Sequence, residues 1–204
     1  MSQILTAQTL SSTAASQTRS GWGRLAMWLF LASDGMTFAG LLTGYAVLRT
    51  HNTDWPPPAN HLALLLGIVM TALLLGSSVT LLRAHTAVKR ENRQQFSTFM
   101  VLTILAGVAF LLLQGYEWSH LLHQGMTVSN NPWGAPLFGA TFYTLTGFHG
   151  LHVLVGVLYL LTVLFKGQRK EKLSTYDESV SMLGIYWHFV DVVWVFVFTS
   201  VYLL

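Results

Sequence analysis

Cysteine is absent from the 204-residue chain. That excludes disulfides, thiolate metal sites and iron–sulfur clusters, and leaves the redox compartment unread. Charge is scarce too: Asp, Glu, Lys and Arg make up 9% of the residues, against about 25% in an ordinary soluble domain. Hydrophobic residues make up 52% and the mean hydropathy is positive. Charges are costly in hydrocarbon, so this balance belongs to a chain embedded in lipid. No glycine-rich phosphate cradle and no nucleophile–base pair is found. The formal net charge of +3 comes from short basic clusters beside apolar stretches. A nucleic-acid partner is therefore not expected. Residues 1–21 are rich in Ser, Thr, Ala and Gln and lack the apolar core of a secretory signal. They read as a mobile aqueous tail, and the first apolar run is expected to be retained as a membrane helix.

What is present is a series of long apolar runs. A helix needs about 20 mainly apolar residues to cross a hydrocarbon core of about 30 Å. Stretches near 23–49, 61–83, 96–122, 136–165 and 179–204 meet that requirement. The expected fold is all-α, an integral membrane bundle of five transmembrane helices, with residues 22–204 as one domain. Stops follow the first three runs, at Trp55-Pro56-Pro57-Pro58, at Lys89-Arg90-Glu91-Asn92-Arg93 and at Asn130-Asn131-Pro132-Trp133-Gly134. Arg19, Arg24, Arg83, Lys89, Arg90, Arg93, Lys166, Arg169, Lys170 and Lys172 fall on one side and only Arg49 on the other. Positive residues are retained in the cytoplasm, so the N-terminus is expected inside and the C-terminus outside. Trp22, Trp55, Trp118 and Trp133 fall near span ends, where amphipathic rings favour the interface.

The few polar residues inside the runs are the candidates for function. Asp34 and Asp191 lie near mid-bilayer, where an unpaired carboxylate is costly. His188 precedes Asp191 by one helical turn and is its expected hydrogen-bond partner, so a packing role is preferred there. Asp34 has no local partner, and a structural role stays open beside a proton-linked or lipid-linked one. His149 and His152, three apart, share one helical face and could in principle ligate haem or copper. No other helix offers a second histidine pair, so interhelical hydrogen bonding is preferred. Glu117, with Gln114, Tyr116 and His120, reads as a solvated helix end. Glycines 35, 40 and 44 and glycines 147, 150 and 156 permit close helix approach. These features alone leave channel, transporter and oligomer subunit open.

Four motifs narrow the choice. Tyr186-Trp187-His188-Phe189-Val190-Asp191-Val192-Val193-Trp194 resembles the closing motif of subunit III of the haem–copper terminal oxidases. Thr146-Gly147-Phe148-His149-Gly150-Leu151-His152-Val153 is similar to the motif of that family's penultimate helix, and Gln114-Gly115-Tyr116-Glu117-Trp118 to one in the helix before. Leu31-Ala32-Ser33-Asp34-Gly35 resembles its early motif, in which Ser precedes an intramembrane acid. Two positions depart from the pattern. Asp34 stands where mitochondrial-type sequences carry Glu, as in many quinol-oxidase subunits, and Ser181 stands where many members carry Glu. Five spans resemble the shorter bacterial form, which implies a bacterial cytoplasmic membrane.

The resemblance implies a subunit of an O2-reducing, proton-pumping complex that has no catalytic centre of its own. Haem and copper would be ligated by partner subunits I and II. This chain would pack on subunit I, hold phospholipid in a cleft and support proton uptake. Cytochrome c is the expected donor. A quinol-oxidase subunit III, an accessory subunit of a nitric oxide reductase and, in a different class, a stand-alone ion channel or transporter are the alternatives. No metal or cofactor is expected on this chain. Asp34 is the expected proton- or lipid-linked residue, and Glu117, His149, His152, His188 and Asp191 form the expected structural polar network.

Overall fold

The computed structural model describes residues 2–57, 62–169 and 172–204, with side chains described from residue 22 onward except that of residue 169. Five helices account for most of it: α1 (Ser2–His51), α2 (Leu64–Lys89), α3 (Arg93–His123), α4 (Leu137–Arg169) and α5 (Asp177–Phe198). A 3-10 turn, Leu173–Tyr176, leads into α5, and a π-helical turn, Thr199–Leu203, ends it. No strand occurs among the described residues. All five helices are long and apolar enough to span a membrane, over Trp22–His51, Leu64–Lys89, Arg93–His123, Leu137–Gln168 and Leu173–Leu203. The α1 backbone is helical through the stretch expected as a tail, whose side chains lie outside the described residues.

The burial pattern explains why these helices pack as they do. On α2 the buried positions include Gly67, Met70, Leu74, Ser77, Leu81, Ala84 and Val88. On α3 they include Phe96, Met100, Thr103, Gly107, Phe110, Gln114, Glu117 and Leu121. Both runs alternate steps of three and four, the spacing that keeps one seam facing a neighbouring helix in a shallow crossing. On α5 and the π-helical turn that ends it, Val180, Leu183, Trp187, Val190, Trp194, Val197 and Val201 follow the same rule. Helices α2 to α5 thus form a four-helix core.

Against that core α1 lies one-sided. Leu31, Phe38 and Tyr45, seven apart, are buried, while Trp22, Trp28, Leu29, Phe30, Met36 and Val47 are exposed. Of the five spans it is the least buried and α5 the most.

The turns α2–α3 and α4–α5, rich in Lys and Arg, are tied together at what is here called the basic end. Glu91 accepts from the backbone N–H groups of Leu173 (2.9 Å) and Ser174 (3.0 Å), holding the 3-10 turn. It does so from a left-handed backbone conformation, φ 52°, which is uncommon for a residue with a side chain. Arg93 donates to the carbonyls of Gly167 (3.2 Å) and Gln168 (2.7 Å), the last turn of α4. His85 and Asp177 approach to 3.0 Å. At the opposite end the Ala135 amide donates to the Asp54 carbonyl (3.0 Å). Gly134, at φ 145°, lies so close to Asp54 that any β-carbon there would overlap its carbonyl.

Two of the expected interface tryptophans turn inward. Trp55 packs edge-on against Tyr45 and Phe138, and Trp118 donates to Thr146 Oγ1 (3.2 Å). Both rings are half-buried, and the Trp118 indole finds a hydrogen-bond partner inside the bundle.

Candidate functional site

The intramembrane polar residues sort into three groups, each built across helices. The first joins α1 to α4. Asp34 Oδ2 lies 2.8 Å from His152 Nε2, and both side chains are 11% exposed. The approach is off-line for a well-aligned hydrogen bond but is within charge-assisted range. His152 Nδ1 is 2.7 Å from the Phe148 carbonyl. A carbonyl oxygen only accepts, so Nδ1 carries a hydrogen and Nε2 presents its lone pair unless the ring is cationic. With Nε2 facing Asp34 Oδ2, a further proton can be carried by either group, as imidazole with carboxylic acid or imidazolium with carboxylate. Phe38 closes over the ring at 5.2 Å, and the Tyr186 hydroxyl donates to the His152 carbonyl (2.9 Å). Asp34 thus has a long-range partner that local spacing could not reveal.

The second group joins α2 to α5. His188 and Asp191 do not bond each other directly: Ser78 of α2 stands between them. Its hydroxyl donates to Asp191 Oδ2 and lies 2.7 Å from His188 Nδ1. The expected local pair is thus corrected to a three-residue bridge, because the α2–α5 seam brings Ser78 to both side chains. Two further bonds run along the same seam, from Trp187 Nε1 to Ser77 Oγ (2.8 Å) and from Trp194 Nε1 to Thr71 Oγ1 (2.9 Å). Polar side chains at seam positions hold helices together where lipid supplies no hydrophobic contrast between them.

The third group overturns the reading of Glu117 as a solvated helix end. Its side chain is 2% exposed, and Oε2 accepts from the Tyr202 hydroxyl at 2.5 Å. Gln114, one turn earlier on the same seam, is also buried. Proximity to the helix end suggested exposure, whereas the alternating three-and-four steps of α3 run through both residues and place them inside. That periodicity, read through the polar residues instead of around them, would have found them.

His149 and His152 diverge, although they are three apart. His152 faces α1, whereas His149 is fully buried between Phe110 of α3 (5.5 Å, edge-on) and Trp194 of α5 (5.0 Å). The two rings therefore cannot act as one ligand pair. No grouping of three or more His, Asp or Glu side chains suited to a metal ion occurs among the described residues.

Grooves flank the one-sided helix. Between α1 and α5 a cavity of about 520 Å³ is lined by Trp28, Leu31, Ala32, Ile185, His188 and Phe189. A second, of about 260 Å³, continues along the same seam past Gly35, Phe38, Leu42 and Phe196. From Trp28 to Leu42 they follow about 21 Å of helix at 1.5 Å per residue.

Comparison with known proteins bears on the whole chain. The family model for cytochrome c oxidase subunit III matches residues 2–204. The chain is 35% identical over 202 residues to cytochrome c oxidase subunit 3 of Bacillus subtilis, covering 98% of this chain and 95% of that protein. It is 38% identical over 178 residues to the subunit 3 of a Synechocystis species, covering 86% of this chain and 73% of that one. With the subunit 3 of Thermostichus vulcanus it shares 34% over 181 residues, 88% of this chain and 86% of that one.

Proposed function

The chain belongs to the cytochrome c oxidase subunit III family, and from that premise we propose that it is the subunit of a proton-pumping haem–copper oxidase that carries no redox centre. Electrons, O2 and the metals are handled by partner subunits, with cytochrome c as donor and haem and copper held in subunits I and II. The absence of cysteine and the divergence of His149 from His152 support that division of labour. The basic end faces the cytoplasm of a bacterium, which agrees with the retention of positive residues on that side.

One observation supports the role given to this subunit: Asp34, on the helix that the rest of the bundle covers least, lies 2.8 Å from His152 of α4. A paired acid and imidazole near mid-membrane can hold one proton at low cost, because the pair is neutral overall whichever partner carries it. The exposed face of α1 is the surface that packs on subunit I. The apolar grooves along α1 and α5 accept phospholipid chains, since their run of about 21 Å exceeds the roughly 15 Å of one leaflet's hydrocarbon. Together these contacts support proton uptake over repeated turnovers.

The test is Asp34→Asn and Asp34→Leu in the purified complex, followed through repeated turnovers. The Asn variant is expected to assemble normally and lose activity progressively during turnover. A fully stable progress curve in the assembled Asn variant would remove the proton role from this pair.

A further inference from the structure

Three residues of the four-helix core bury polar atoms that make no well-aligned hydrogen bond to a protein group. They are Glu117 through Oε1, Gln114 through both amide atoms and His149 through both ring nitrogens. All three are more than nine-tenths buried. An unsatisfied polar atom in a low-dielectric interior is costly, so five in one region demand a common explanation.

Their placement supplies one. Phe110, Gln114 and Glu117 lie along a single seam of α3, which puts Gln114 about 6 Å and Glu117 about 10 Å along the helix from Phe110. His149 packs on Phe110 at that lower level. Trp194 touches His149 at 5.0 Å and Tyr202 at 6.2 Å. Tyr202 in turn bonds Glu117 and lies beside Gln114. The unsatisfied atoms therefore form a column between α3, α4 and α5, walled by aromatic rings. Room is available at both upper members. They open on different sides of α3: Glu117 lines a cavity of about 190 Å³ toward the start of α2, with Ala63 and Tyr116, and Gln114 lines one of about 320 Å³ toward α4, with Trp118 and Thr146.

We propose that Glu117, Gln114 and His149 hold a file of about three internal water molecules, running from the end of the bundle opposite the basic turns to its centre. Buried water settles where two to four polar partners converge, and each of these side chains offers what its neighbour lacks. The Glu117 carboxyl and the His149 ring can accept a hydrogen bond, and the Gln114 amide can both donate and accept. The file gives a carboxyl and an imidazole deep in the bundle an exchange path to one aqueous side. It is separate from the Asp34–His152 pair, whose ring turns away toward α1.

Transfer of the intact membrane complex from H2O to D2O, followed by infrared spectroscopy, tests this. The Glu117 C=O band is identified by its absence in Glu117→Gln, and the His149 ring N–H band by ring-¹⁵N histidine labelling and its absence in His149→Phe. Both bands are expected to shift within seconds in the wild type. Gln114→Leu is expected to slow His149 exchange at least about tenfold while Glu117 stays fast, since it interrupts the file between them. A His149 ring that keeps its N–H for hours in the wild-type complex overturns the proposal, as does unchanged His149 exchange in an assembled Gln114→Leu complex. If that variant fails to assemble, the wild-type exchange rates decide the matter alone.

Discussion

Trp187 is the side chain on which the core helices converge, and it allows a quantitative test of the packing. It is fully buried on α5 and donates to Ser77 of α2. Its six-membered ring lies over Gly107 of α3 and Gly156 of α4. A β-carbon added at Gly156 would stand 2.7 Å from Trp187 Cζ3 and 2.9 Å from Cε3, and one at Gly107 2.9 Å from Cη2. Ordinary contact begins at about 3.5 Å. Gly156→Ala therefore forces the indole aside by most of an ångström while Ser77 holds its nitrogen. Overpacking of this kind costs about 1–3 kcal/mol, a factor of about 5–150 in the folding or assembly equilibrium.

A second substitution isolates the contact. Trp187→Phe removes the part of the ring that Gly156 meets, so it should relieve the Gly156→Ala penalty even though it is itself destabilising through the lost hydrogen bond and the cavity. Thermal inactivation or detergent-induced loss of the chain from its complex, measured for the two single variants and the double variant, gives the coupling. A favourable interaction of about 1–2 kcal/mol is expected; additivity within about 0.5 kcal/mol would show that the close approach of α4 to Trp187 is wrong.

Ser78→Ala leaves both His188 and Asp191 without their bridge and should weaken retention of the chain by about 0.6–2 kcal/mol, read as its fraction copurifying with the complex. Asp191→Asn can still pair with Ser78 and should retain the chain better than Asp191→Leu; an Asp191→Leu complex that assembles normally yet fails to pump would make Asp191 a proton carrier instead. At the basic end, the Glu91 carboxyl is held below its ordinary value of 4.5, first by the Ser174 hydroxyl and then by the amides of Ser174 and Leu173. A depressed carboxyl stabilises the folded form above pH 4.5 and loses that contribution as pH falls through its lower folded value. The protection of the Leu173 and Ser174 amides against hydrogen exchange, relative to the intrinsic rate at each pH, should therefore fall only as the pH drops below 4.5, and Glu91→Gln should abolish that change in protection. Expressed without partners, the chain should bind neither haem nor copper; a haem absorption band at one equivalent, lost in His149→Phe, would refute that.

Much of this was legible in the residues. Five runs of adequate length and the basic turns between them are carried by composition, and bilayer thickness leaves them few alternatives. The polar network was legible in its members but not in its pairing. Asp34 meets His152, and Ser78 meets Asp191, across more than a hundred residues in each case, and no local spacing carries that information. Glu117 was misread for a different reason. Its nearness to a helix end suggested water, while the repeat from Phe96 to Leu121 placed it on the buried seam. Tyr202, its partner, lies on the final apolar run, far along the chain from Glu117. In each case the helix was right, and the neighbouring helix decided what the side chain met.

The central claim is that this chain works as subunit III of a haem–copper oxidase. It is tested most directly by purifying the affinity-tagged chain from its own membrane in mild detergent and recording the reduced-minus-oxidised spectrum with O2 consumption. Haem bands in fixed proportion to the chain, with O2 reduction driven by reduced cytochrome c and not by quinol, are expected. A monodisperse preparation of this chain alone, free of haem and moving ions when placed in liposomes, would contradict the account.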